Sequence, residues 1–203
     1  MTLSDVVIPT GTANLASVLA AFRRLDVNLV PTESAEVVSA ARRAVLPGVG
    51  TFGAAVDRLE EIGVVGALRK RVSEGRPTLA VCVGMQLLAG SSDESPGSPG
   101  LGLVDSVISR FDDDLIVPQL AWSQVMPEPG TRFVEPGWAY FANSYRLPEP
   151  PRDWVGSSAI YGKPFVAAME RGDVLACQFH PELSGVWGAS LLQRWLEATR
   201  GTR

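Results

Sequence analysis

Two short stretches hold the residues most able to do chemistry in this 203-residue chain. In the first, Thr78-Leu79-Ala80-Val81-Cys82-Val83-Gly84-Met85-Gln86, an apolar run that reads as a strand enters a helical segment at a cysteine. A nucleophile on a tight strand-to-helix turn projects outward from its sheet, and the crowded backbone demands small residues two positions to either side, which Ala80 and Gly84 supply. The N-terminus of the following helix favours thiolate over thiol. The N–H of Val83 would face an oxyanion forming beside the sulfur. The second stretch, Cys177-Gln178-Phe179-His180-Pro181-Glu182, contains the only histidine. In extended chain, residues i and i+2 share a side, so Glu182 can accept a hydrogen bond from the His180 ring. Pro181 cannot donate to a sheet ladder, which places the pair at a strand end. Thiol, imidazole and carboxylate together form the generalised triad for attack on a carbonyl. Cys177 has no such surroundings and reads as a buried core cysteine.

A third stretch points to a competing class. Leu46-Pro47-Gly48-Val49-Gly50-Thr51-Phe52-Gly53 follows a strand and opens a helix, and Gly48, Gly50 and Gly53 satisfy the G-x-G-x-x-G dinucleotide fingerprint. On that reading the protein is an NAD-type oxidoreductase. The loop follows the third strand rather than the first, however, and no acidic residue stands where the ribose would need one. That window falls in Leu68-Arg69-Lys70-Arg71. The other reading of the glycines is a backbone that comes close to a bound substrate and supplies a second oxyanion donor. A catalytically silent binding subunit is the third class.

The elements that must position these residues follow from periodicity. Val6 to Ile8 reads as a strand, and Asn14 caps a helix bearing Leu15, Val18, Leu19, Phe22 and Leu25. Val27 to Val30 reads as a second strand, Ser34 to Ala41 as a short helix, and Ala44 to Leu46 as a third strand. A long helical region from Phe52 to Val72 precedes the buried strand Thr78 to Cys82. Strands separated by helices imply βαβ units and a parallel sheet. Ser91 to Gly100 is a polar Gly/Pro-rich loop. From Leu103 to Phe179 short runs rich in Val, Tyr and Phe read as appended strands and hairpins. A last helix carries Trp187, Leu191, Trp195 and Leu196. The expected fold is a three-layer α/β domain with a mixed, mainly parallel sheet, one domain over residues 1–203, with the cysteine at the carboxyl edge.

Composition excludes several partners. With 46% hydrophobic and 20% charged residues the chain is an ordinary globular protein, and its net charge of −4 argues against nucleic acid or an acidic membrane surface. Asp5 interrupts the first apolar stretch with no basic segment before it, so no signal peptide is read. The longest apolar run, Leu79 to Ala89, is too short to span a bilayer. Two cysteines without CxxC spacing and a lone histidine offer neither a disulfide framework nor a metal cluster, and a reducing cytoplasm is expected.

Ala80 to Gln86 together with Phe179-His180-Pro181-Glu182 resembles the class I glutamine amidotransferases, whose domain is of the flavodoxin-like kind. Leu46 to Gly53, Gly100-Leu101-Gly102-Leu103 and Tyr140-Phe141-Ala142-Asn143-Ser144-Tyr145 are similar, within that family, to the glutaminase subunits of imidazole glycerol phosphate synthases. The resemblance covers residues 9 to 190. It implies that Cys82 attacks the amide of glutamine, His180 shuttles the proton and Glu182 orients His180. It further implies that Gly48, Val49, Gly50, Val83, Gln86, Ser144 and Tyr145 bind the substrate. No cofactor and no metal are implied. Ammonia would pass to a (β/α)8-barrel cyclase in a heterodimer of histidine biosynthesis. The sequence departs from the family pattern at Ala13, at Ala80, at Leu183 and in Pro118-Gln119-Leu120-Ala121-Trp122-Ser123. The glutaminase subunit of pyridoxal phosphate synthase also carries His-Pro-Glu-Leu, but its Gly-Gly-Glu-Ser turn is missing here.

Overall fold

The computed structural model describes residues 4–11 and 14–201, so the departure at Ala13 lies outside the described residues. Strands β1 (Asp5–Val7), β2 (Val30–Pro31), β3 (Arg43–Gly48) and β4 (Thr78–Cys82) alternate with helices α1 (Leu15–Arg23), α2 (Ala35–Ala40), α3 (Phe52–Glu61) and α4 (Val65–Ser73). After a single helical turn, α5 (Val83–Gln86), come β5 (Ala89–Ser92), β6 (Val104–Arg110), β7 (Gln119–Pro127), β8 (Gly137–Asn143) and β9 (Tyr145–Arg146). Strands β10 (Val155–Tyr161), β11 (Lys163–Arg171) and β12 (Val174–Cys177) lead through a 3-10 turn at Pro181–Leu183 into α6 (Gly185–Ala198).

Among the described residues, nine strands form one sheet in the order β2-β1-β3-β4-β12-β11-β10-β7-β8. The first five run parallel and the last four pair antiparallel. Strands β5, β6 and β9 make a small separate sheet. Every residue of β3, β4 and β12 is buried, as both faces of a parallel sheet must be when helices cover them. The chain crosses from β1 to β2 in one direction and from β2 through β3 to β4 in the other. Right-handed crossovers therefore place α1 on one face and α2, α3 and α4 on the opposite one. In agreement, α2 packs on α4, while α1 and α6 both meet the 3-10 turn. This is the expected mixed α/β architecture, and Cys82 ends β4 at the carboxyl edge.

Local chemistry explains where the elements begin and stop. Asn14 caps α1 as expected, its side chain accepting the N–H of Ser17. The second strand is shorter and later than expected. The N–H of Val27 is used by the carbonyl of Phe22, closing the end of α1, so pairing with β1 starts only at Val30. The long helical region is two helices. Gly63, at φ +69°, closes α3 with a Schellman motif in which Gly63 N–H reaches Glu60 O and Val64 N–H reaches Leu59 O. The helix expected after Cys82 is one turn long and gives way to β5.

Candidate active site

Cys82 sits at φ +55°, one of two described non-glycine residues with positive φ. Such a conformation costs about 1–3 kcal/mol and persists only where surroundings over-determine it. The surroundings here are close backbones. A Cβ on Gly84 would lie 2.0 Å from Leu46 O, and one on Gly48 would lie 2.8 Å from Gly84 N. The two glycines let β3 press directly against the turn and hold the sulfur at the strand end. Val83 begins α5, so its N–H has no acceptor within that helix.

His180 lies on the chain leaving β12. Its N–H donates to Tyr140 O on β8 at 3.0 Å, and its carbonyl accepts from Ser184 Oγ at 2.6 Å. The preceding Phe179 is fully buried, edge-on to Phe141 and Trp187 with ring centroids 5.7 and 5.3 Å away, and each such pair adds about 0.5–1.5 kcal/mol. The ring is thus held from both sides. Its Nδ1 meets Glu182 Oε1 at 2.9 Å, which leaves Nε2 for the side of the ring away from the carboxylate, and Cys82 is near enough to act on the ring's pKa. Glu182 reaches the ring from the 3-10 turn, not from extended chain, so the alternation rule named the right pair by the wrong geometry. Burial works against a charged imidazole. The hydrogen bonds with Cys82 and Glu182 outweigh it, raising the His180 pKa to about 10. The proton therefore rests on His180, next to the sulfur.

Cys82 and His180 line a hollow of about 230 Å³ together with Val49, Gly50, Val83, Gln86, Ser144 and Tyr145. That is below the ~300–1,000 Å³ of sites for drug-sized ligands, a size in keeping with an amino acid. Gly48 does not line it but backs the nucleophile turn. Glu182 stands behind the ring, outside the hollow. The lining also includes Glu94, Pro118, Ala142 and Asn143, which sequence reasoning missed. Glu94 was hidden in the polar loop 91–100. Its Oε2 accepts the N–H of Phe52 at 2.7 Å, while Ser95 Oγ accepts that of Gly53 at 2.9 Å. These contacts correct the dinucleotide alternative. The α3 N-terminus, where a pyrophosphate would have to sit, is already capped by a carboxylate.

No family model matches the chain. The HisH subunit of imidazole glycerol phosphate synthase from Pectobacterium atrosepticum is 42% identical over 197 residues, covering 95% of this chain and 98% of that one. The chain belongs to the HisH family. A further HisH-family match is the chloroplastic imidazole glycerol phosphate synthase hisHF of Arabidopsis thaliana, 36% identical over 198 residues, which cover 92% of this chain and 33% of that longer one. The fold is shared with a solved glutamine amidotransferase at TM-score 0.75 and 21% identity, over 96% of this chain and 98% of that one. The α/β amidotransferase fold expected from the sequence is the one observed. With HisH relatives on this scale, neither the oxidoreductase nor the pyridoxal phosphate alternative is favoured.

Proposed function

We infer that this chain is the glutaminase subunit of an imidazole glycerol phosphate synthase, acting as a single domain over residues 1–203. The observation that carries the reading is the line Cys82–His180–Glu182 at the wall of an amino-acid-sized hollow. Cys82 Sγ attacks the side-chain carbonyl carbon of glutamine. The oxyanion forms beside the Val83 N–H, and a second donor comes from the Val49–Gly50 turn. His180 gives its proton to the departing nitrogen, releasing ammonia and leaving a glutamyl thioester. It then takes a proton from water, whose attack yields glutamate, and the sulfur is released with the proton back on His180. Glu182 keeps the ring aimed throughout. Glu94 is the one carboxylate among the lining residues, and its Oε1 suits the α-ammonium of glutamine, while Ser144 and Tyr145 supply further wall. Gly48 acts through the turn it supports.

Ammonia would be consumed by a (β/α)8-barrel cyclase bound as a heterodimer partner in the cytoplasm. Two features support a partner. The Arabidopsis relative carries this region on a third of a longer synthase chain. The outward face of the β7–β8 hairpin exposes Leu120, Trp122, Met126 and Trp138, the tryptophans at 51% and 57%, an apolar surface of the sort that marks a protein interface. Among the described residues no helix is long and apolar enough to cross a membrane.

The test is glutamine hydrolysis by purified variants, assayed with a candidate cyclase. Cys82→Ser should lose several powers of ten in rate, as removal of a triad member does, while Cys177→Ser stays near the parent. Survival of activity in Cys82→Ser, or equal loss in both folded variants, rejects the nucleophile.

A further inference from the structure

One buried polar side chain touches the nucleophile without belonging to the triad. Gln178, fully buried, donates from Nε2 to Cys82 Sγ at 3.6 Å. Its orientation is not free. Gln178 Oε1 accepts from Gln86 Nε2 at 2.9 Å, and Gln86 gives its other N–H to Tyr145 O at 3.1 Å. Turning the Gln178 amide over would set N–H against N–H at Gln86 and a carbonyl oxygen against the sulfur. Only one arrangement satisfies every group. It also uses both amide hydrogens of Gln86, leaving that side chain nothing but an acceptor to offer the hollow.

We propose that Gln178 is a second hydrogen-bond donor to the nucleophile, working beside His180 to stabilise the Cys82 thiolate, and that Gln86 is the positioning residue that locks its amide. A thiolate accepts an N–H more strongly than a thiol does, so a fixed donor at 3.6 Å shifts the balance toward the reactive form. The hydrogen-bonded series runs from the Tyr145 carbonyl, on the substrate wall, to the sulfur. A shift of that wall is thereby felt at the nucleophile. The proposal rests on Cys82 being the nucleophile.

The experiment measures alkylation of Cys82 by iodoacetamide across pH, in a Cys177→Ser background so that Cys82 is the sole thiol. Fold is checked by circular dichroism and the modified residue by mass spectrometry. Gln178→Met removes the donor at similar volume, and the alkylation midpoint should rise by about one pH unit, the scale of a lost hydrogen bond to a charged group. Gln178→Glu keeps the shape and sets an acceptor against the sulfur, so its midpoint should rise further. Gln86→Met frees the amide to turn, and a smaller rise is expected. A Gln178 that merely fills space would leave the midpoints in place. Unchanged midpoints in folded Gln178→Glu and Gln86→Met overturn the proposal, even if Gln178→Met fails to fold. A parent chain whose Cys82 does not react at any pH overturns the nucleophile assignment instead.

Discussion

His180 holds a proton in a nearly dry position between sulfur and carboxylate, and that arrangement bears on stability as well as chemistry. Its folded pKa, about 10, stands above the ~6.5 of an unfolded histidine. A raised pKa of this kind stabilises the fold fully below about pH 6.5, and the contribution is lost as pH climbs through the folded value. The parent should therefore exceed His180→Asn in unfolding free energy most at pH 6, less at pH 8, and least near pH 10. Urea unfolding at those three values checks this, and a margin independent of pH would contradict it. Much of the site at this scale was legible from residue types, because a lone histidine with a carboxylate two residues on has few other uses. Gln178 could have been read by the same alternation, since it lies two residues before His180. It was passed over because an amide in an apolar strand reads as a mere hydrogen-bond filler. Glu94 could not be read, since only the folded loop brings it under α3.

The strand-to-helix turn is the element that presents Cys82, and its tolerance for side chains is asymmetric. On the α5 side, a methyl on Gly84 would collide with the Leu46 carbonyl at 2.0 Å. Gly84→Ala should cost about 1–3 kcal/mol through overpacking and displace the sulfur, so melting temperature and glutaminase rate fall together. On the β4 side, Ala80→Gly should cost only about 0.5–1 kcal/mol in backbone entropy and leave the rate close to the parent. Thermal unfolding paired with glutamine hydrolysis distinguishes the two. A Gly84→Ala chain as stable and active as the parent would show that β3 does not clamp the turn. The small-residue pattern was readable because sterics act within the motif itself. The brevity of α5 was not, because Leu87 and Leu88 continue an apolar run that suits helix or strand equally. Their carbonyls are taken by Leu101, Leu103 and Val104, far along the chain. The division of α3 from α4 was announced by Gly63. Its Schellman closure also depends on burying Val64, which periodicity alone cannot rank above a continued helix.

Across the whole molecule, the exposed hairpin and the chain that carries the His180 ring are joined by a backbone hydrogen bond at Tyr140. Trp122 on the outer face stands edge-on to Tyr140, centroids 6.2 Å apart, and Tyr140 O holds the N–H of His180. A partner seated on the hairpin is thus one residue from the triad. The hairpin's ends, at Pro118 and Asn143, line the same hollow as Gly50, whose φ of +94° marks a turn where a peptide can rotate between presenting a carbonyl and an N–H. The isolated chain should accordingly be a poor glutaminase, since one missing oxyanion donor is worth about 10²–10³ in rate. Activity should rise with a barrel cyclase and again when that cyclase carries its nucleotide ligand, while Trp122→Ala blunts both responses. Steady-state assays of the three mixtures decide the matter. Full activity in the chain alone sinks the switch, and silence with every cyclase assigns the chain to a different acceptor enzyme. The same hairpin sets a condition on how the protein is made. β8 is the last strand of the nine-stranded sheet, and the two bare tryptophans, Trp138 on that strand and Trp122 beside it, form an apolar corner there. Chains synthesised in excess of their partner would stick to one another through that corner. Matched dosage of the two subunits is then a requirement of solubility before it is one of metabolism.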